Sequence, residues 1–143
     1  MRRDMNEYNA LKELRKYLFE NWDEPGCKLY FPNEAQTPGK YFCILAVLRA
    51  DTEELMFGTS GNVVDRFNGI FSINFYGPTG QGTGILINLC EKMAGILGHR
   101  TIGGVIRCTS SQLTEVGIAN EISKFVVNLS VNYRRDDTVD LLP

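Results

Sequence analysis

The sequence has few of the residues on which catalytic sites are usually built. Among its 143 residues there is one histidine, His99, and the four cysteines include no CxxC pair. A zinc site needs a cluster of such ligands, and a catalytic triad needs a histidine beside its nucleophile. His99 follows Gly98 after an apolar helical stripe, so we expect it at a helix C-terminus, where a cation suits the helix dipole. From the sequence we therefore expect a protein that is not an enzyme and that has no catalytic residue, metal site or cofactor.

The sequence also lacks a long apolar run and an excess of positive charge. No stretch approaches the length of a membrane span, and the polar first residues 1–4 do not resemble a signal peptide. A net charge of -2 without a basic stripe argues against tight binding of nucleic acid. The length and the 43% hydrophobic content suit one domain with a single core. We expect a cytoplasmic protein without a membrane partner and with reduced, buried thiols.

A glycine-rich stretch at residues 74–84 is the strongest local signal. It follows the alternating pattern of a strand and precedes an apolar helical stripe, an order that presents backbone N–H groups to an anion. Gly77 and Gly82 have the glycine spacing of a phosphate-binding loop. However, Thr83 and Gly84 stand where that motif needs Lys and then Ser or Thr. We interpret the stretch as a structural turn rather than a nucleotide site.

Hydrophobic periodicity predicts two helices and up to five strands. The apolar helical stripes are Tyr8, Leu11, Leu14, Leu18 and Trp22, then Leu86, Leu89, Cys90, Met93, Ile96 and Leu97. The predicted strands are 27–31, 41–48, 62–76, 103–108 and 125–134, with 41–48 at the centre of the sheet because it is apolar on both faces. The polar spans 49–54 and 109–120 are predicted to be loops.

This order of elements predicts an α+β fold with hairpins rather than repeated βαβ units. The expected architecture is a mainly antiparallel (mixed) sheet of about four to five strands with two helices packed on it. We expect one domain over residues 1–137, followed by a flexible acidic C-terminal tail at 138–143.

Two sets of residues are predicted to contact partners. The hairpin tip between the second and third strands carries apolar residues beside acids and has little core of its own. The last strand alternates core residues with a polar face. The predicted interface residues are Asp51, Glu53, Glu54, Leu55, Met56 and Phe57 at the tip, and Asn128, Ser130, Asn132 and Arg134 in the strand. The tip could instead fold back over the sheet edge as a small satellite cluster.

A series of short motifs runs in order along the chain. They are Trp22, Phe31-Pro32-Asn33, the strand at Tyr41, Arg66, Gly69, the run from Phe75 to Gly82, and Tyr133-Arg134-Arg135-Asp136. In order and in element type, over roughly residues 8–137, they resemble the tail terminator-like proteins, a family of small tailed-phage proteins.

The resemblance implies a virion assembly protein without catalytic residues. Such an α+β subunit forms a homohexameric ring at the end of the tail tube, stops tube polymerisation and provides the surface for head-tail joining. The implied partners are the tail tube protein and the head-tail connector protein, and DNA only passes through the lumen. The implied location is the bacterial host cytoplasm during assembly and then the virion tail.

Two other functions stay open at this point. One is a phage neck or head-completion protein of similar size, which would bind the portal or connector rather than the tail tube. The other is a small enzyme that uses Cys90 or Cys108 as its nucleophile, which would need a neighbouring base. Reactivity toward iodoacetamide at neutral pH separates the enzyme from the assembly proteins.

Overall fold

The protein, described here from a computed structural model, is an α+β domain with two helices and one sheet. The structure describes residues 7–32, 39–56 and 62–140. The helices are α1 (Glu7–Asn21) and α2 (Gly84–Leu97). The strands are β1 (Cys27–Tyr30), β2 (Tyr41–Met56), β3 (Asn62–Pro78), β4 (Thr101–Ile102), β5 (Ile106–Ala119) and β6 (Lys124–Asp140). The predicted class and the two helices are confirmed, but the sheet has six strands because β4, with two residues, is too short to leave a periodic signal.

The sheet is mixed, as predicted, with the order β1-β2-β3-β6-β5-β4. β1 pairs with β2 in parallel, and all other neighbouring strands are antiparallel. The prediction that β2 is central is wrong, since β3 and β6 take the middle positions and β2 lies next to β1, the last strand on that side. The apolar residues on the second face of β2 are instead covered only in part, and Leu48 is 51% exposed.

Two polar spans that were predicted to be loops are strands. β2 continues to Met56, and Asp51 to Met56 pair with Asn68 to Val63 of β3 beyond a register shift at Ala50. β5 runs to Ala119 with two further register shifts. Backbone pairing with a long neighbour extends both strands even though their side chains do not alternate between apolar and polar, and sequence periodicity detects only the alternation.

The far end of the sheet forms a three-stranded extension, which we call the arm. It consists of residues 51–56, 62–68 and 134–140. β6 ends at Asp140, three residues beyond the predicted domain boundary, and its last residues pair with Asn62 to Val64. The predicted tip residue Phe57 and residues 141–143 lie outside the described residues.

Both helices pack on the same face of the sheet. In β3 the alternate residues Phe71, Ile73 and Phe75 point to this face and are completely buried. Five of the six predicted stripe residues of α2 are buried, and Ile96 packs against the core. In α1 the buried stripe is Ala10, Leu14 and Leu18, and Trp22, the residue after the helix, is buried beside it. The prediction that Tyr8 belongs to the buried stripe is wrong. Tyr8 precedes the buried Ala10 by two residues and therefore lies on nearly the opposite side of the helix, where it is 69% exposed.

Three contacts fix the helices to each other and to the sheet. The Tyr17 hydroxyl of α1 donates a hydrogen bond of 2.6 Å to the Ile96 carbonyl of α2. Trp22 Nε1 donates to the Cys27 carbonyl at 2.9 Å, and the Trp22 ring meets Phe75 edge-on with ring centroids 6.1 Å apart. Because the Tyr17 hydroxyl and the Trp22 N–H group both have acceptors, these two aromatic residues add packing without an unsatisfied donor.

The backbone conformation of the turn before α2 explains why the turn is rich in glycine. Gly80 and Gly82 have φ angles of +77° and +74°, in the left-handed region that residues with a Cβ rarely adopt. α2 then begins at Gly84, and Thr83 at its N-cap makes no side-chain capping bond.

His99 follows the end of α2, as predicted, and is exposed. Neither helix among the described residues is long and apolar enough to cross a bilayer.

Candidate functional site

No described helix packs on the second face of the sheet, opposite α1 and α2, and we call it the helix-free face. Neighbouring strands place their residues on it in rows. One row is Ile44, Asn74, Asn128 and Thr114, and the next is Ala46, Ser72, Ser130 and Gln112. The face is thus apolar along β2 and polar along β3, β6 and β5.

A hydrogen-bonded polar network lies at the centre of the helix-free face. Asn128 Nδ2 donates to Ser72 Oγ at 2.9 Å and to Asn74 Oδ1 at 2.8 Å. Ser130 Oγ donates to Asn128 Oδ1 at 2.9 Å. These four side chains are half-buried rather than fully wet. The network crosses the two central strands, so it holds the polar groups in fixed positions.

The other two predicted residues of β6 lie further along the same face. Asn132 Nδ2 donates to Ser110 Oγ at 3.1 Å, and both Asn132 and Arg134 are exposed. The predicted alternation along β6 is present, but the face that was expected to be mostly wet is exposed only at Asn132 and Arg134, since Val126 is buried and Asn128 and Ser130 are half-buried.

An aromatic cluster that periodicity did not reveal lies at the other end of this face. Phe42 stacks on Tyr76 with ring centroids 4.7 Å apart and meets Tyr30 edge-on at 6.4 Å. Tyr30 and Phe42 are 4% and 5% exposed. The clue in the sequence was the absence of alternation in β2, since Phe42 adds an apolar residue on the face opposite Cys43.

The register shift at Ala50 decides which face the predicted tip residues occupy. Beyond it, Asp51, Glu53 and Leu55 pair with Asn68, Arg66 and Val64 and lie on the helix-free face. The backbones of Glu54 and Met56 belong to β2, and Phe57 lies outside the described residues. The structure therefore places Asp51, Glu53 and Leu55 on the same face as the predicted residues of β6, instead of folding Asp51 and Glu53 back over the sheet edge.

Two polar contacts tie the three strands of the arm together on this face. Asn68 Nδ2 donates to Glu53 Oε1 at 2.8 Å. Arg66 donates to both carboxylate oxygens of Asp136, at 2.9 and 3.1 Å. The hydrogen bond from Arg66 lowers the pKa of Asp136, so this carboxylate stays ionised. The arm is thus a paired element with fixed charges at its surface.

The cysteines do not form a reactive site. All four thiols are buried and free. Burial raises the pKa of Cys90 and of Cys108 to about 12, and a hydrogen bond with Cys27, together with burial, raises the pKa of Cys43 far above its usual range. A nucleophilic cysteine needs a lowered pKa and access to solvent, so these positions have the opposite character. Within the described ranges, no three His, Cys, Asp or Glu side chains are arranged to hold a metal ion.

The buried thiols make stability fall with rising pH in alkaline solution. Their ordinary pKa is 9.0, so the unfolded chain releases thiol protons above that pH while the folded chain keeps those of Cys90 and Cys108 until about 12. The contribution of these thiols to the free energy of unfolding is therefore fully present below pH 9. Above pH 9 it decreases by at most about 1.4 kcal/mol per pH unit for each thiol. Urea unfolding from pH 7 to 10.5 in reductant measures this, and the Cys108→Ala variant should show a shallower decline. Equal slopes in the two proteins would contradict the expectation.

Comparison with known proteins shows a similar fold but indicates no function. No protein-family model and no curated protein matches the chain. One solved structure, whose name states no function, is similar with a TM-score of 0.67 and 16% sequence identity. The alignment covers 92% of this chain and 96% of that one. At this identity the similarity extends to the fold alone.

Proposed function

We propose that this protein is an assembly subunit of the tail terminator type, which forms a ring at the end of a phage tail tube and ends tube growth. The observation that carries the proposal is the helix-free face, which joins the polar network of β6 to the acidic arm in one surface. A small domain with a broad face that its own helices leave open is suited to contacts with other subunits.

The distribution of side chains supports binding rather than catalysis. The cysteines are buried with raised pKa values, and the exposed groups on the helix-free face are amides, hydroxyls and charges of both signs. Interfaces combine an apolar region with a polar rim, and Leu48, half exposed on this face, lies beside half-buried Ile70. A closed ring is also the symmetry with which such a subunit stops growth, because no free interface is left over.

Ring formation and tube capping test this function together. We expect light scattering to show self-association as the concentration rises, negative-stain images to show six-fold rings, and purified tail tubes to bind the protein at one end only. A protein that stays monomeric and binds no tube would contradict the proposal. Binding to the portal in place of the tube would identify a neck protein instead.

A matched pair of variants tests whether the helix-free face is the surface used. Leu48 on this face is 51% exposed, and Ile122 in the turn before β6 is 50% exposed. Replacing either by Lys should leave the melting temperature nearly unchanged, because each side chain is already half in water. We expect Leu48→Lys to weaken ring formation and Ile122→Lys to preserve it. The reverse result would move the interface to the turn.

A further inference from the structure

A groove of about 650 Å³ lies between α1 and β1, on the side of the sheet remote from the arm. β1 is the outermost strand there and pairs only with β2 among the described residues. The aromatic and basic residues that line the groove are Arg15, Lys16, Phe19, Trp22, Lys28 and Phe31.

The groove combines an aromatic surface with positive charge. Phe19 is 90% exposed, which is unusual for so large an apolar side chain. The Arg15 guanidinium lies 4.2 Å from the centroid of the Phe31 ring, and Lys16 and Lys28 are exposed at the border. The acid in the lining, Glu24, is bound to Lys92 at 2.5 Å, so its charge is compensated. A partner that fits must therefore supply negative charge and an apolar group.

The arm has the complementary composition. Its helix-free face carries exposed Asp51 and Glu53, with half-buried Leu55 next in line on the same strand. On the same face the other described charges are Asp136, which is bound to Arg66, and Arg134 in β6, so the β2 edge of the arm carries the two acids Asp51 and Glu53. Opposite potentials on two surfaces favour their association and fix its orientation.

The two surfaces cannot meet within one chain. Tyr30 at the end of β1 pairs with Ile44 of β2, and Asp51 lies seven residues further along the same strand. Phe31 of the groove follows Tyr30 by one residue, so at ~3.3 Å per residue the acidic residues lie about 20 Å or more from the groove. β2 is paired to β3 along this whole length, so the arm does not bend back. Contact requires a second copy.

We propose that the acidic arm of one copy binds in the aromatic, basic groove of the next copy, with Asp51 and Glu53 facing Lys16 and Lys28. The inference rests on the proposed ring function and names the surfaces that make the ring. The contact joins two different patches, so it is head-to-tail and gives a closed ring when the rotation between copies closes.

Charge exchange tests the pairing. In the groove variant Lys16 and Lys28 are replaced by Glu, and in the arm variant Asp51 and Glu53 are replaced by Lys. Each variant alone places like charges at the contact, and we expect self-association at least about tenfold weaker than in the unmodified protein. An equimolar mixture pairs each groove with an arm of opposite charge and should restore assembly, as should one chain that carries all four changes.

The controls separate this contact from a general effect of charge. The Lys12→Glu and Glu121→Lys variants change exposed residues outside the groove and the arm, and we expect both to assemble normally. Circular dichroism and melting temperature verify that each variant is folded. Assembly that persists in the groove and arm variants would overturn the pairing and leave the ring function standing. Loss without recovery in the mixture would also overturn the pairing, and an unmodified protein that never self-associates would overturn both proposals.

Discussion

Replacing Phe75 by Ala is expected to lower the free energy of unfolding by about 3–5 kcal/mol, a large part of the stability of a domain of this size. Phe75 lies in β3, is completely buried, and pairs with Cys43 on one side and Val127 on the other. Its ring also meets Trp22, which directly follows α1. Removing the ring leaves a cavity where α1 meets the sheet, and a paired backbone on both sides prevents the strands from closing it.

Urea unfolding at a low protein concentration, followed by circular dichroism, measures the loss from the monomer. The matched control is Phe19→Ala, which removes the same ring from a position that is 90% exposed. We expect that control to change the free energy of unfolding by less than about 0.5 kcal/mol. A loss below about 1 kcal/mol for Phe75→Ala would show that this part of the core repacks freely.

The core could be predicted from the sequence because its elements have a strong period. The stripe on α2 and the alternation in β6 each repeat over at least ten residues, and the structure buries Leu89, Met93, Val127 and Val131 as expected. The helix and strand periods differ, so a long pattern identifies both the element and its buried face.

The arm could not be predicted in the same way. Its strands are held by backbone pairing among β2, β3 and β6, and their side chains show no regular alternation of apolar and polar residues. The polar residues from Arg49 to Glu54 therefore indicated a loop. The register shift at Ala50 has no signature in the sequence either, and it is this shift that places Asp51 and Glu53 on the same face as Asn128 and Ser130.

The sequence thus indicated residues that lie on the helix-free face, but not that they share one face. Sequence patterns identified the polar residues of β6 and the acids of the tip as two separate surfaces. Their combination depends on the register across β2, β3 and β6, which is set by long-range pairing. The groove beside β1 was not predicted because Phe19 lies off the buried stripe of α1, and an isolated exposed aromatic residue is not distinguishable in a sequence from any other surface position.

The Gly69→Ala variant is expected to lose about 2–3 kcal/mol of stability, although it adds only one methyl group. A Cβ atom at this position would lie 2.6 Å from the Tyr133 ring and 2.7 Å from the Leu48 carbonyl oxygen. Neither neighbour has room to move. The Tyr133 ring is stacked on Phe71 with centroids 4.1 Å apart, and the backbone of Leu48 pairs with Ile70 in the ladder between β2 and β3.

Gly95→Ala is the matched control for this change. Gly95 lies in α2, and a Cβ atom there would meet nothing within 4 Å. Alanine in a helix interior is favoured over glycine, so this control should gain about 0.5–1 kcal/mol. Urea unfolding gives both values, and near-ultraviolet circular dichroism should show a changed tyrosine signal only in Gly69→Ala. Equal stability of the two variants would mean that Tyr133 leaves its stack without cost, and that β2, β3 and β6 are less tightly packed than the distances at Gly69 indicate.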